Sequence, residues 1–227
     1  MDEPIEVGLV LGAGGARGYA HVGALKALEE RGIKPVAVAG CSMGGLVGAL
    51  IGNQQKADDM VEYIAGLKLQ RLFDRGGSEA LNLARGVEEV LAEILPVNFE
   101  DLTMPVKVTT VDIQNGTLVV LGSGDLRKAI RATISLPGIF PPARHKGRIL
   151  LDGALLNGLP VDVIRTMTDR PVIAVDVAPP PDRHLPFDEE RSWWEKITQP
   201  FAHGRRPILL EIILKAYDIP QRLLTDA

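Results

Sequence analysis

The sequence predicts an α/β layered fold built on parallel strands, and three observations predict it. Two short apolar, β-branched runs, Ile5–Leu11 and Val36–Ala39, each feed directly into a glycine-rich turn. Each turn is followed by a segment with helical spacing: Val22, Leu25 and Leu28 recur through residues Tyr19–Glu30, and Leu46–Ile51 opens a second helix. Strand, helix, strand, helix in such short order calls for parallel strands joined by right-handed crossovers. The third observation is composition: 46% hydrophobic and 24% charged are ordinary globular values, and 227 residues suffice for one sizeable core. A single domain over residues 1–227 is expected.

Taken in order, the first strand enters Gly12-Ala13-Gly14-Gly15-Ala16-Arg17-Gly18, and Gly32 stops the helix that follows. The second strand ends in Gly40-Cys41-Ser42-Met43-Gly44-Gly45. Gln54 to Asp101 is largely helical in pattern, with Gly76-Gly77-Ser78 as a loop inside it. Val106–Asp112 and Thr117–Leu121 form a hairpin closed by Ile113-Gln114-Asn115-Gly116, since Asn-Gly favours the turn. Asp125 can cap a helix running to Ala132. Leu136-Pro137-Gly138-Ile139-Phe140-Pro141-Pro142 can be neither helix nor central strand, because proline removes a backbone donor and clashes with the preceding turn, so it is a shaped loop. Arg148–Leu151 makes a strand that stops at Asp152-Gly153, and Val172–Val177 makes the last one.

Charge and composition exclude several function classes. A net charge of −4 without a long basic run argues against nucleic acid as a partner. The single cysteine, Cys41, cannot form an internal disulfide and reads as a small core residue; the acidic start Met1-Asp2-Glu3-Pro4 is unlike a signal peptide. Both point to a cytoplasmic setting. No apolar run is long enough to span a bilayer. Residues Trp193 to Leu214 combine Trp193, Trp194, Phe201 and the apolar run Ile208–Leu214, and read as a helix packed on protein, with peripheral contact at a membrane surface as the alternative. No cofactor or metal site is indicated: counted from Gly12, the G-x-G-x-x-G pattern fails at Arg17, and no phosphate-loop pattern occurs.

Two motifs carry chemistry. Gly40-Cys41-Ser42-Met43-Gly44 fits G-x-S-x-G, in which a serine sits on a strained strand-to-helix turn and glycines make room for neighbouring backbone. Ser42 is therefore the candidate nucleophile. The N–H groups of Gly14, Gly15 and the start of the next helix can meet a developing oxyanion, while Arg17 can either face an anionic head group or brace the loop. A serine needs a base within reach. None of His21, His145, His184 and His203 has a setting that marks it as one: His21 lies inside the first helix, His145 within basic Arg144-His145-Lys146, and the others in polar, proline-flanked segments. Asp152 differs, because Ile149-Leu150-Leu151 delivers it to a sheet edge, although an ordinary turn-starting aspartate would look the same.

The three segments, with Asp152-Gly153-Ala154 as the third, resemble the motifs of patatin-like phospholipases in order and interval. Arg131 to Pro142 and Asn157-Gly158-Leu159-Pro160 are similar to further signatures of that family, so the resemblance runs from residue 5 to about residue 177. It implies a three-layer α/β/α fold with a mainly parallel central sheet. It also implies a Ser42–Asp152 dyad with Asp152 as base and no catalytic histidine, an oxyanion-binding loop of Gly14, Gly15, Ala16 and Arg17, and no cofactor. The implied reaction is cleavage of carboxylic ester bonds in phospholipids or lysophospholipids. Within the family the chain looks most like the bacterial group related to the catalytic domain of neuropathy target esterase, with Ser192-Trp193-Trp194 in support. Ala13 stands where a further glycine is common, and the chain stops at Ala227 where relatives carry more sequence, leaving open a whole or a shortened protein. An acyltransferase using the same acyl-serine and a catalytically silent lipid-binding domain are the alternatives.

Overall fold

The computed structural model describes residues 3–60 and 80–178. The expected loop at Gly76-Gly77-Ser78, the helix expected between Trp193 and Leu214, and His184 and His203 lie outside the described residues. The strands are β1 (Ile5–Leu11), β2 (Ile33–Cys41), β3 (Val106–Asp112), β4 (Thr117–Leu121), β5 (Ala143–His145), β6 (Arg148–Asp152) and β7 (Val172–Val175). The helices are α1 (Tyr19–Glu29), α2 (Met43–Gly52), α3 (Ala80–Ile94), α4 (Leu126–Thr133) and α5 (Val161–Arg165).

Strands β7, β1, β2 and β3 lie side by side and parallel, as the crossover pattern requires. The remaining strands make the sheet mixed. Strand β4 pairs antiparallel with Val108 to Asp112 along one edge of β3. The opposite edge is shared: β2 takes Val106 to Thr109, and β6, running antiparallel, takes Thr110 to Asp112. Strand β5 completes a hairpin with β6.

Alternation along the central strands sends side chains to two layers. Leu9, Leu11, Val38, Val106 and Val108 are buried with residues of α1, α2, α3 and α4, whereas Val10, Ala37 and Ala39 are buried with Val163 and Ile164 of α5 on the other face. The fold is α/β with helices on both faces, as predicted. Helix α2 is buried along its whole length, as a helix apolar on all sides must be. Its glycines bring it onto the sheet: a methyl group on Gly48 would lie 2.8 Å from Val38 Cγ1, and one on Gly52 would lie 2.7 Å from Val106 Cγ2. Burial of each large aliphatic side chain in this layer contributes roughly 1.5–3 kcal/mol.

The hairpin, the proline-rich loop and the cap form as the sequence indicates, with Gly116 at φ 64 in the turn and Asp125 accepting from the Lys128 N–H at 2.9 Å. Strand β2 begins three residues earlier than predicted and carries Pro35 within it. The β1–β2 register shifts just there, pairing Val7 with Pro35 and Gly8 with Ala37, which accommodates a residue that cannot donate to the ladder. Strand β5 and helix α5, of three and five residues, are additions to the expected elements, being too short to display a period in the sequence.

Candidate active site

Strands β2 and β6 approach each other end to end along one edge of β3. Cys41, the last residue of β2, pairs with Thr109, and Asp152, the last residue of β6, pairs with Thr110. Consecutive positions on β3 thus bring together two strand ends 111 residues apart. At this junction Ser42 turns out of the sheet with φ 55 and ψ −124, a conformation that costs a non-glycine residue of order 1–3 kcal/mol and persists only when its surroundings enforce it. Glycines on either side make room for this turn. A methyl group on Gly40 would lie 2.5 Å from the Gly44 carbonyl oxygen, and one on Gly44 would overlap the Leu11 carbonyl group.

Ser42 Oγ donates to Asp152 Oδ2 at 2.5 Å, and the two residues are 8% and 0% exposed. The second carboxylate oxygen, Oδ1, accepts from the Ala154 N–H at 3.1 Å, which locks the side chain at the start of the turn Gly153–Leu155. Cys41 Sγ lies 3.6 Å from the same oxygen. Burial, and after it the charge of Asp152, push the Cys41 thiol well above its usual range, so it stays protonated and donates. Cys41 is buried, as the sequence suggested, and it lies beside the carboxylate.

The glycine loop packs directly on this turn. A methyl group on Gly18 would overlap Met43, and Gly44 abuts the carbonyl groups of Leu11 and Gly12. Gly12 N–H donates to Val175 and Ala13 N–H to Gly158, tying the loop to β7 and to the segment after Asp152. Gly15, at φ 52, opens the 3-10 turn Gly15–Gly18, so the N–H groups of Gly15 and Ala16 stand at its N-terminal end, where no intrahelical acceptor precedes them. The N–H of Arg17 is committed to the Gly14 carbonyl at 3.0 Å, and its Nε donates to the Val177 carbonyl at 2.9 Å. These Arg17 contacts run to the backbone of the loop itself and of the segment that follows β7.

His21 is fully buried on α1, with Nε2 2.7 Å from the Gly12 carbonyl oxygen. A carbonyl only accepts, so Nε2 carries the proton; burial pushes the imidazole pKa below its usual value and keeps the ring neutral. His21 therefore holds the loop, and its Nδ1 has no hydrogen-bond partner among the described residues. His145 sits opposite Arg148 at the far end of the β5–β6 ladder from Asp152.

Sequence reasoning missed a set of polar residues behind the pair. Thr133 Oγ1, at the end of α4, accepts from the Ser42 N–H at 2.8 Å and donates to the Thr109 carbonyl at 2.7 Å. The Ser135 carbonyl accepts from the Asp152 N–H at 3.1 Å. The Arg131 guanidinium donates to Ser135 Oγ at 2.7 Å and to the Pro141 carbonyl at 3.1 Å, and lies over the Phe140 ring. The signal available was the alternation of Arg131, Thr133 and Ser135, polar residues two apart that enter a proline-rich loop. No group of three or more His, Cys, Asp and Glu side chains is arranged to hold a metal among the described residues, and none of their helices is long and apolar enough to cross a membrane.

Comparison with known proteins adds a lineage to this geometry. The family model described as patatin-like phospholipase matches residues 9–165. An uncharacterized NTE family protein of Mycobacterium tuberculosis is 37% identical over 176 residues, covering 75% of this chain and 49% of that protein. Human patatin-like phospholipase domain-containing protein 6 is 32% identical over 212 residues, covering 83% of this chain and 14% of the relative. Lysophospholipase NTE1 of Mycosarcoma maydis is 32% identical over 213 residues, covering 84% and 11%. The chain thus spans about half of the mycobacterial relative and a smaller share of the other two. With a family match running from β1 to α5, the chain belongs to the patatin-like phospholipases.

Proposed function

We propose that the chain is a serine lipid acyl hydrolase that cleaves carboxylic ester bonds of phospholipids or lysophospholipids, with Ser42 as nucleophile and Asp152 as its base. The observation that carries this reading is the hydrogen bond from Ser42 Oγ to Asp152 Oδ2, made at a strained elbow packed against a glycine loop. In the proposed reaction Asp152 takes the Oγ proton as Oγ bonds to the ester carbonyl carbon, and the former carbonyl oxygen becomes the oxyanion. The N–H groups of Gly14, Gly15 and Ala16 meet that charge, with Arg17 holding them in place. Collapse breaks the ester C–O bond, and the departing alkoxide takes the proton from Asp152. Water then attacks the acyl-serine, giving one proton to Asp152, and the fatty acid leaves as Oγ recovers that proton. Both half-reactions close without a cofactor.

The lysophospholipid part of the reading draws on the name of the Mycosarcoma maydis relative, and the placing of all 227 residues in one catalytic domain is part of the same proposal. The test is labelling by a fluorophosphonate probe together with fatty-acid release from lysophosphatidylcholine and phosphatidylcholine. The parent should label and release fatty acid. Ser42→Ala should do neither while keeping its circular dichroism spectrum. A Ser42→Ala protein within a few-fold of parental activity would place the nucleophile elsewhere.

A further inference from the structure

Ser42 reaches Asp152 only because β2 stops pairing with β3 at Cys41, and something has to stop it. A parallel ladder that continued would bring the Ser42 N–H to a carbonyl of β3 and hold residue 42 extended, not at φ 55. The hydroxyl of Thr133 occupies that position. It takes the Ser42 N–H at 2.8 Å and passes its own proton to the Thr109 carbonyl at 2.7 Å, on the β3 residue that pairs with Cys41. Donor and acceptor are both satisfied, so the elbow carries no unpaired buried group at this point. Thr133 is itself fully buried.

Two residues further on, the Ser135 carbonyl takes the Asp152 N–H, so one stretch of chain grips the backbone of both members of the pair. Arg131, one turn earlier on α4, fixes that stretch through Ser135 Oγ and the Pro141 carbonyl; it is 5% exposed, and its position is set by the helix and by the Phe140 ring. We propose that Thr133, supported by Arg131 and Ser135, is a positioning residue for catalysis, its hydroxyl ending the β2–β3 ladder so that Ser42 stands over Asp152. This rests on the Ser42–Asp152 reading above and adds the device that sets their geometry. Without the hydroxyl, the buried Ser42 N–H and Thr109 carbonyl are left facing each other, and pairing them directly would pull residue 42 back into the strand and its Oγ away from the carboxylate.

The hydroxyl and the methyl of threonine can be tested separately. Thr133→Val keeps the shape and removes the hydroxyl; Thr133→Ser keeps the hydroxyl and removes the methyl. The rate of fluorophosphonate labelling and the kcat and KM for a soluble p-nitrophenyl ester are measured on the full chain for parent, Ser42→Ala and both variants, with thermal melts as the check on folding. Thr133→Val should lose about a hundredfold in labelling rate and in kcat, as small misplacements of reacting groups do, with KM within about threefold. Thr133→Ser should stay within about threefold of the parent in every parameter. Parental labelling in Thr133→Val, or an equal loss in a folded Thr133→Ser, overturns the proposal. Should Thr133→Val melt below the assay temperature, Thr133→Ser decides by itself, parental rates supporting the hydroxyl's role and a large loss refuting it. The underlying reading fails in a different way, through a parent that does not label or a Ser42→Ala protein that still turns over.

Discussion

Asp152 combines complete burial with neighbours that favour its carboxylate oxygens: the Ser42 hydroxyl, the Ala154 N–H and the Cys41 thiol. On the proposed chemistry, Asp152→Asn keeps the shape and cannot accept a proton, so the rate of fatty-acid release should fall by about a hundred- to ten-thousand-fold or more while the melting curve stays cooperative. His21 has the opposite problem, since protonation would put a second N–H on a buried ring whose Nδ1 has no acceptor among the described residues. Its pKa in the folded chain lies below the unfolded value of 6.5, so below that pH the unfolded state binds a proton the native state refuses. Stability should therefore fall as the pH drops below about 6.5, until native His21 itself titrates. His145, lowered by burial and then by Lys146, adds an effect of the same sign. Urea midpoints measured from about pH 7 to about pH 5.5 should fall less steeply in His21→Gln than in the parent, with His145→Gln run alongside to separate the two residues.

At the scale of elements, the glycines of the site divide by what surrounds them. Gly44 faces the backbone of Leu11 and Gly12, which cannot yield as a side chain can, so Gly44→Ala should cost about 1–3 kcal/mol and lower the denaturant midpoint together with activity. Gly23, exposed on α1 with nothing within 4 Å of where a methyl group would stand, should behave in reverse, Gly23→Ala adding about 0.5–1 kcal/mol. This division also explains what the sequence disclosed. Elements with a period, a cap or a turn signal, such as β1, α1, the β3–β4 hairpin and the start of α4, were legible because their causes are local. The elbow glycines were legible as a pattern, but their necessity, contact with the backbone of β1, is a tertiary fact. Thr133 and Ser135 were visible only as part of a signature, because nothing in Arg131 to Ser135 reveals that α4 ends behind Ser42. The same limit applies to His21, whose helical position was plain and whose grip on Gly12 was not.

For the whole molecule, β3 is the member on which the fold turns. Its one edge receives β2 from below and β6 from above, and the two candidate residues meet where those strands stop. The order of neighbours could be argued from crossover rules for β1 and β2, but the arrival of an antiparallel β6 on the same edge could not, since it depends on a connection through α4 and the proline-rich loop. The arrangement also has a consequence in time. On the proposed chemistry the nucleophile and its base are separated by 110 residues, and neither half of the site can act before β3 has been made and both strands have docked on it. At a synthesis rate of about 5–20 residues per second, Ser42 is added to the chain roughly 5–20 s before Asp152 is. On that proposal a growing chain is chemically silent toward the lipids around it, and the proposed ester cleavage waits for the finished sheet.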